Sequence, residues 1–104
     1  MGKQNEKLLG NMKELDKQKL PKWFTGECYT HGAEVTNRFG GDSCHLNNVE
    51  LSMYDFIMGA QMLFAVHQEK QPNKPIGDKL INDFEKALSW FRKNNGKAYM
   101  VLLD

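Results

Sequence analysis

The stretch from Gly32 to Met62, GAEVTNRFGGDSCHLNNVELSMYDFIMGAQM, constrains the fold more than any other part of the chain. A segment rich in Gly and Asn precedes a run, Met53 to Val66, in which apolar residues occupy nearly every side of a helix. A helix that is apolar all round is covered by other elements or by a second subunit. The pattern therefore predicts a β-hairpin followed by a central, buried helix.

The hairpin is predicted for residues 27–46, with its tip at a pair of glycines that can adopt positive φ. Such a tip gives cross-strand partners whose residue numbers sum to about 79 or 80, so Cys44 faces Val35 or Thr36. Cys28 lies outside the paired region, and a direct disulfide is not expected. Two free thiols are typical of a reducing compartment.

Helices are predicted on both sides of the hairpin. Residues 3–20 have an amphipathic pattern that ends at a proline, and Trp23 and Phe24 follow as a plug on the core. Asn47 is the predicted N-cap of the central helix, with Glu50 at the position from which its carboxylate reaches back to the cap. A Gly-Ala pair at 59–60 is expected to permit close approach of another element.

The C-terminal third begins with the cleanest amphipathic pattern of the chain, which predicts a helix over residues 76–94. Asn95 and Gly96 are predicted to end it in the left-handed conformation. Residues 97–104 are predicted to form a strand that joins the hairpin or pairs with its copy in a second subunit. The fold class is α+β, a small single domain: a hairpin and a terminal strand packed with about three helices. Residues 1–22 hold an N-terminal helix that need not be tightly attached.

Composition places the chain among small soluble domains. It has 104 residues, 40% of them apolar and 26% charged, and a net charge of +1, which gives no global attraction to nucleic acid or to an anionic membrane. The N-terminus lacks the apolar segment of a signal peptide, and the apolar run is shorter than the roughly 20 residues that span a bilayer. We expect a cytoplasmic protein that does not bind membranes.

Residues with metal-binding or nucleophilic chemistry are concentrated around the hairpin. Cys28 and His31, with Cys44 and His45, are four residues of the types that bind zinc. Neighbouring strand residues point to opposite faces, however, so the second pair cannot readily bind one ion. Cys28, His31 and Glu34 could form a nucleophile, base and acid, yet a short hairpin offers them no shielded pocket. We predict no metal, no cofactor and no enzymatic activity.

Two candidate contact surfaces remain. The first is the exposed turn, where Phe39 is expected to pack back onto the protein more readily than to insert into a partner; its residues are Asn37, Arg38, Phe39, Gly40, Gly41 and Asp42. The second is a basic strip with an aromatic edge, which is the predicted surface if the chain binds nucleic acid. Its residues are Lys79, Lys86, Trp90, Arg92, Lys93 and Lys97. Acidic residues share that face and would repel phosphate.

The segment 32–62 also resembles a small uncharacterised protein family of tailed, notably marine, bacteriophages and of prophages. The shared features are Glu-Val-Thr-Asn at 34–37, Phe39-Gly40, and a Leu-x-x-x-Glu-x-x-x-Tyr-Asp-Phe helix start at 46–56. Family members often have Pro after the Asn, where this chain has Arg38. The resemblance covers about a third of the chain. It implies a phage accessory protein made in an infected bacterium, and it implies no activity, substrate or catalytic residue.

These observations predict a small non-enzymatic interaction protein that binds a host or phage protein in the bacterial cytoplasm. The alternatives are a nucleic-acid-binding accessory protein and a minor virion component. A homo-oligomer is compatible with the amount of apolar surface on the central helix and the last segment.

Overall fold

A two-stranded hairpin precedes three helices in the computed structural model, which describes residues 19–103. The elements in chain order are β1 (Ala33–Thr36), β2 (Ser43–Leu46), α1 (Asn48–Lys70), α2 (Asp78–Asn94) and α3 (Gly96–Leu102). Strands and helices are therefore combined in one small α+β domain, as the sequence predicts. The helix predicted for residues 3–20 lies almost wholly outside the described residues.

The hairpin has the predicted register. β1 and β2 pair antiparallel with Val35 opposite Cys44, so that paired residue numbers sum to 79. Because side chains alternate across a strand, Val35 and Cys44 pack against the core while Glu34 and Thr36 are exposed. Gly32 lies so close to the end of β2 that a Cβ atom there would be 2.2 Å from the carbonyl oxygen of Leu46.

The start of α1 is fixed by the predicted capping box. The amide of Glu50 donates to the side-chain oxygen of Asn47 over 2.8 Å, and the amide of Asn47 donates to the Glu50 carboxylate over 3.0 Å. The other carboxylate oxygen of Glu50 accepts from the Asn95 side chain over 3.0 Å. Glu50 thus joins the start of α1 to the junction between α2 and α3, and it is buried there.

Burial of α1 is uneven: the predicted central, buried helix is found in its first half, and the second half is not fully covered within residues 19–103. Met53 and Ile57 are fully buried, whereas Met62 and Leu63 are 62% and 57% exposed. The expected close approach at Gly59 is also absent within residues 19–103, since a Cβ atom there would meet no atom within 4 Å. The first half packs on the hairpin and the C-terminal helices, and the second half packs mainly on α2.

Among the helices in residues 19–103, α1 is the one with the length and composition that could cross a membrane, at a mean hydropathy of 1.2. Its 23 residues make it longer than the apolar run from Met53 to Val66, whose length predicts no membrane span. Core helices of soluble proteins have the same properties, and 28% of the most apolar window of α1 is buried within the protein.

The C-terminal segment corrects two predictions. The segment predicted as a strand, residues 97–104, is helical over most of its described part, because α3 spans Gly96–Leu102, and Asn95 with Gly96 does not make a left-handed stop. Asn95 instead has φ −150° and caps the new helix, with its side chain accepting from the amide of Ala98 over 3.1 Å. A helix satisfies its own backbone, which a lone strand could not do, and it brings Ala98 and Leu102 onto one buried face.

The core lies where the hairpin, the first half of α1 and the two C-terminal helices meet. Its buried residues are Leu46, Met53, Ile57, Ala87, Phe91, Ala98 and Leu102. The predicted aromatic plug is confirmed, since the rings of Trp23 and Phe24 lie 6.2 and 5.6 Å from the ring of Phe56.

Candidate interaction site at the Asn37–Asp42 turn

Asn37 organises the turn between the two strands. Its side-chain oxygen accepts from the amides of Phe39 and Gly40 over 2.7 and 3.1 Å, which is the bonding pattern of an Asx turn. Its backbone amide donates to the carbonyl oxygen of Asp42 over 2.7 Å, and its carbonyl oxygen accepts from the amide of Gly41 over 3.1 Å. Gly41 has φ +78°, a conformation that glycine adopts without steric cost. Four hydrogen bonds therefore fix the loop in one shape.

The same side chain attaches the turn to the last helix. The side-chain nitrogen of Asn37, Nδ2, donates to the carbonyl oxygen of Val101 over 2.7 Å. The two residues are 64 positions apart in sequence, so the bond fixes the position of the turn relative to the C-terminal end of the domain.

Phe39 projects from this fixed turn into solvent, and the prediction that it packs back onto the protein is wrong. Its side chain is 93% exposed. The guanidinium carbon of Arg38 lies 5.7 Å from the centre of the Phe39 ring, a cation–π distance. A large apolar ring and a cation are thus presented together on a short loop whose backbone is held by hydrogen bonds.

A cavity of about 230 Å³ lies beside the turn. Asn37, Arg38 and Phe39 form one wall, α1 provides Tyr54, Met58 and Gln61, and α3 with the residue after it provides Leu102 and Leu103. Burial raises the pKa of the Tyr54 hydroxyl, and the positive charge of Arg38 partly opposes that rise. The cavity is lined about equally by polar and apolar groups and has the Arg38 cation at its rim, so it can accept an apolar side chain beside a carboxylate.

The basic strip predicted as a nucleic-acid surface is only partly assembled. Lys86, Trp90 and Lys93 line one groove of about 800 Å³ between α2 and the segment that holds Pro21 and Trp23. The Lys86 ammonium lies 5.9 Å from the Trp23 ring centre. Glu85 lines the same groove and opposes a phosphate there.

The other three members of the strip lie elsewhere. Lys79 forms an ion pair with Asp83 at 2.7 Å, and the Arg92 guanidinium lies over the ring of Tyr99 at 5.8 Å. Lys97 is exposed on α3. The structure therefore does not bring the six residues together on one surface.

The cysteines and histidines around the hairpin do not converge. Residues 19–103 contain no group of three or more His, Cys, Asp or Glu side chains that could hold a metal ion. Cys28 is exposed in the segment before β1, while Cys44 and His45 point to opposite faces of β2.

The sequence predicts the position of the turn but not the hydrogen bonds that hold it. Asn37 is one of six predicted contact residues, and an Asn followed by glycines three and four positions later is also a signal for an Asx turn. The walls from Tyr54, Met58 and Leu102 were missed because residues 97–104 were predicted to be a strand.

The chain was compared with protein-family models, curated proteins and solved structures. No protein-family model, no curated protein and no solved structure matches the chain.

Proposed function

We propose that this chain is a small non-enzymatic interaction protein, a phage accessory factor that binds a host or phage protein in the cytoplasm of the infected bacterium. The observation that carries the proposal is the turn: Phe39 is 93% exposed on a loop that Asn37 fixes with hydrogen bonds to itself and to α3. A preformed loop binds without the entropy cost of ordering it. The sequence resemblance to phage proteins supplies the biological setting.

The contact combines an aromatic anchor with a cation. Aromatic residues and arginine are the side chains most often found at the centres of protein interfaces. Phe39 would be covered by the partner, and the adjacent cavity would receive a side chain from it. The Arg38 guanidinium, now over the Phe39 ring, favours a partner with a carboxylate beside an apolar side chain.

An affinity pull-down from bacterial extract, with and without nuclease and read out by mass spectrometry, tests the proposal. The baits are the unchanged chain, Phe39→Ala and Met62→Ala, the last being a matched control because Met62 is also largely exposed but lies on the second half of α1. We expect one nuclease-resistant protein whose affinity falls about 30-fold or more with Phe39→Ala and is unchanged with Met62→Ala. Equal capture by all three baits would remove the turn as the contact.

Nucleic-acid binding is the second candidate, and the groove beside α2 favours it. Lys86 and Lys93 lie there with Trp23 and Trp90, a combination that suits phosphates and stacked bases. The test is fluorescence anisotropy of a single-stranded oligonucleotide at several salt concentrations. A steep fall in affinity with salt that becomes shallower in Lys93→Ala would support this function. Binding that is absent at low salt would eliminate it.

A further inference from the structure

The outer edge of β1 carries backbone groups that have no hydrogen-bond partner within residues 19–103. The amide of Asn37 donates to Asp42 across the hairpin, so by the alternation of an antiparallel ladder Ala33 and Val35 also direct their backbone groups toward β2. Glu34 and Thr36 therefore direct their N–H and C=O groups away from β2. Within residues 19–103 no hydrogen bond meets these groups, and both residues are exposed.

The described segments on either side of β1 are held elsewhere and do not cover this edge. The chain before β1 is attached to α1, where the amide of Tyr29 donates to Ser52 over 2.8 Å and the side chain of Asn48 donates to the Tyr29 carbonyl over 3.3 Å. The chain after β1 is attached to α3 through Asn37. β2, not β1, makes most of the contacts between the sheet and the helices.

We infer that β1 pairs antiparallel with β1 of a second copy of this chain, about a two-fold axis at Val35. In this register Glu34 of each copy lies opposite Thr36 of the other, and each of the two pairs exchanges two backbone hydrogen bonds. The result is one four-stranded sheet in which β1 and its copy are the central strands. It goes beyond the proposed function, because it assigns the assembly of the chain rather than its partner.

Charge and strand length select this register. An axis at Glu34 would place two carboxylates directly opposite each other, which is destabilising. An axis at Thr36 would place Glu34 of one copy opposite Arg38 of the other, and Arg38 lies in the turn and not in β1. An axis at Val35 keeps all four hydrogen bonds within Ala33–Thr36 and places a hydroxyl, not a second carboxylate, opposite Glu34. The edge is complementary to itself in this one arrangement.

The dimer is weak and presents two turns. Four residues on each side cover much less than the area of a standard stable interface, so we expect a weak dimer that dissociates on dilution. The Asn37–Asp42 turn follows β1 directly in each copy, and the two-fold axis therefore places the two turns at opposite ends of the joined strands. A partner with two sites would then bind the dimer more tightly than the monomer.

Sedimentation equilibrium of the full chain from about 1 to 500 µM tests the inference. Thr36→Pro removes one outward N–H without removing a rung to β2, so it should abolish association while the circular dichroism spectrum is retained. Thr36→Lys and Thr36→Glu place opposite charges across from Glu34 of the other copy. They should shift the dissociation constant in opposite directions, the lysine variant to tighter and the glutamate variant to weaker association, each by roughly 2- to 30-fold.

Three results would overturn the inference. The first is a monomer at every concentration. The second is a dimer that the two charge variants leave unchanged, which decides the question even where Thr36→Pro fails to fold. The third is a dimer that Met62→Asp abolishes and the Thr36 variants do not, which would place the contact on the apolar second half of α1. Each of these results would overturn the dimer alone, because the pull-down with Phe39→Ala tests the proposed function separately.

Discussion

The two halves of α1 have similar compositions and opposite environments. The first half contains Met53, Phe56 and Ile57, and the second contains Met62, Leu63 and Val66. Met53 and Ile57 are fully buried, while the three residues of the second half are 43–62% exposed. The first half is also fixed by Asn47 and Glu50, whereas the second depends largely on an edge contact between the rings of Phe64 and Phe84 at 5.1 Å.

The difference shows that the apolar composition of a helix indicates how much of its surface should be covered, but not which elements cover it. The hairpin, the aromatic plug and α3 all meet the first half. The second half has α2 on one side, and at its end the ring nitrogen of His67 is hydrogen-bonded to the carbonyl of Lys74. We therefore expect the free energy of unfolding to depend strongly on the first half and weakly on the second.

The largest effect is expected for methionine truncation at matched positions in the two halves. Met53→Ala removes a fully buried side chain and leaves a cavity in the core, so it should lower the free energy of unfolding by about 2–5 kcal/mol. Met62→Ala should change it by less than about 0.5 kcal/mol. Urea denaturation of both variants measures the contrast. Equal losses would show that the second half is covered in solution.

A smaller loss is expected from Glu50→Ala. The change leaves the amide of Asn47 and the side-chain amide of Asn95 without their carboxylate acceptor in a buried site, at a cost of about 1–3 kcal/mol. Glu69→Ala, at the exposed end of the same helix, is the control and should be close to neutral. Thermal unfolding of the two variants checks this. A neutral Glu50→Ala would mean that water replaces the carboxylate.

The pH dependence of the first half follows from Tyr54. Burial raises its pKa in the folded protein, so the folded state retains the proton to higher pH than the unfolded state does. The stability contributed by neutral Tyr54 is complete below about pH 10 and is lost as the pH rises through the raised folded pKa. Urea denaturation between about pH 9 and pH 11 should therefore show a smaller loss for Tyr54→Phe than for the unchanged chain. Identical profiles would contradict the burial of the hydroxyl.

The smallest effect is expected for the ion pair at the start of α2, which faces the second half of α1. Lys79 is 74% exposed at the side chain, and its pair with Asp83 has the i, i+4 spacing of a surface helix pair. Lys79→Ala should cost about 0.3–0.5 kcal/mol at low salt and less at high salt. A loss above that range, unchanged by salt, would show that Asp83 depends on Lys79 for its burial.

Local signals in the sequence predicted what local chemistry decides. The capping box at Asn47 and the register that places Cys44 opposite Val35 were predicted because each depends on residues close in sequence. The C-terminal segment was predicted wrongly because Asn95 and Gly96 suit a helix end as well as a helix start. The side chain of Asn95 also donates to the Glu50 carboxylate, 45 positions away in sequence, and no local signal indicates that bond.

The candidate site shows the same division. The sequence indicated an exposed turn at residues 37–42 from its glycines and asparagine. It did not indicate that Phe39 stays in solvent, because the cavity that could have received its ring is formed by Tyr54, Met58 and Leu102 from two distant helices. Which side chains share a surface is decided by packing, and the separation of Lys79, Arg92 and Lys97 from the groove beside α2 has the same cause.

The bond from Asn37 to Val101 has a consequence for local unfolding. The carbonyl of Val101 is among the last four of a seven-residue helix, which have no partner within the helix. The side chain of Asn37 therefore caps the C-terminal end of α3, although it lies 64 positions earlier in the sequence. Because opening of α3 would break this bond, we expect a protein bound at Phe39 to slow amide hydrogen exchange in α3, more than 50 residues away along the chain. Hydrogen exchange in the last helix would then report on occupancy of the turn.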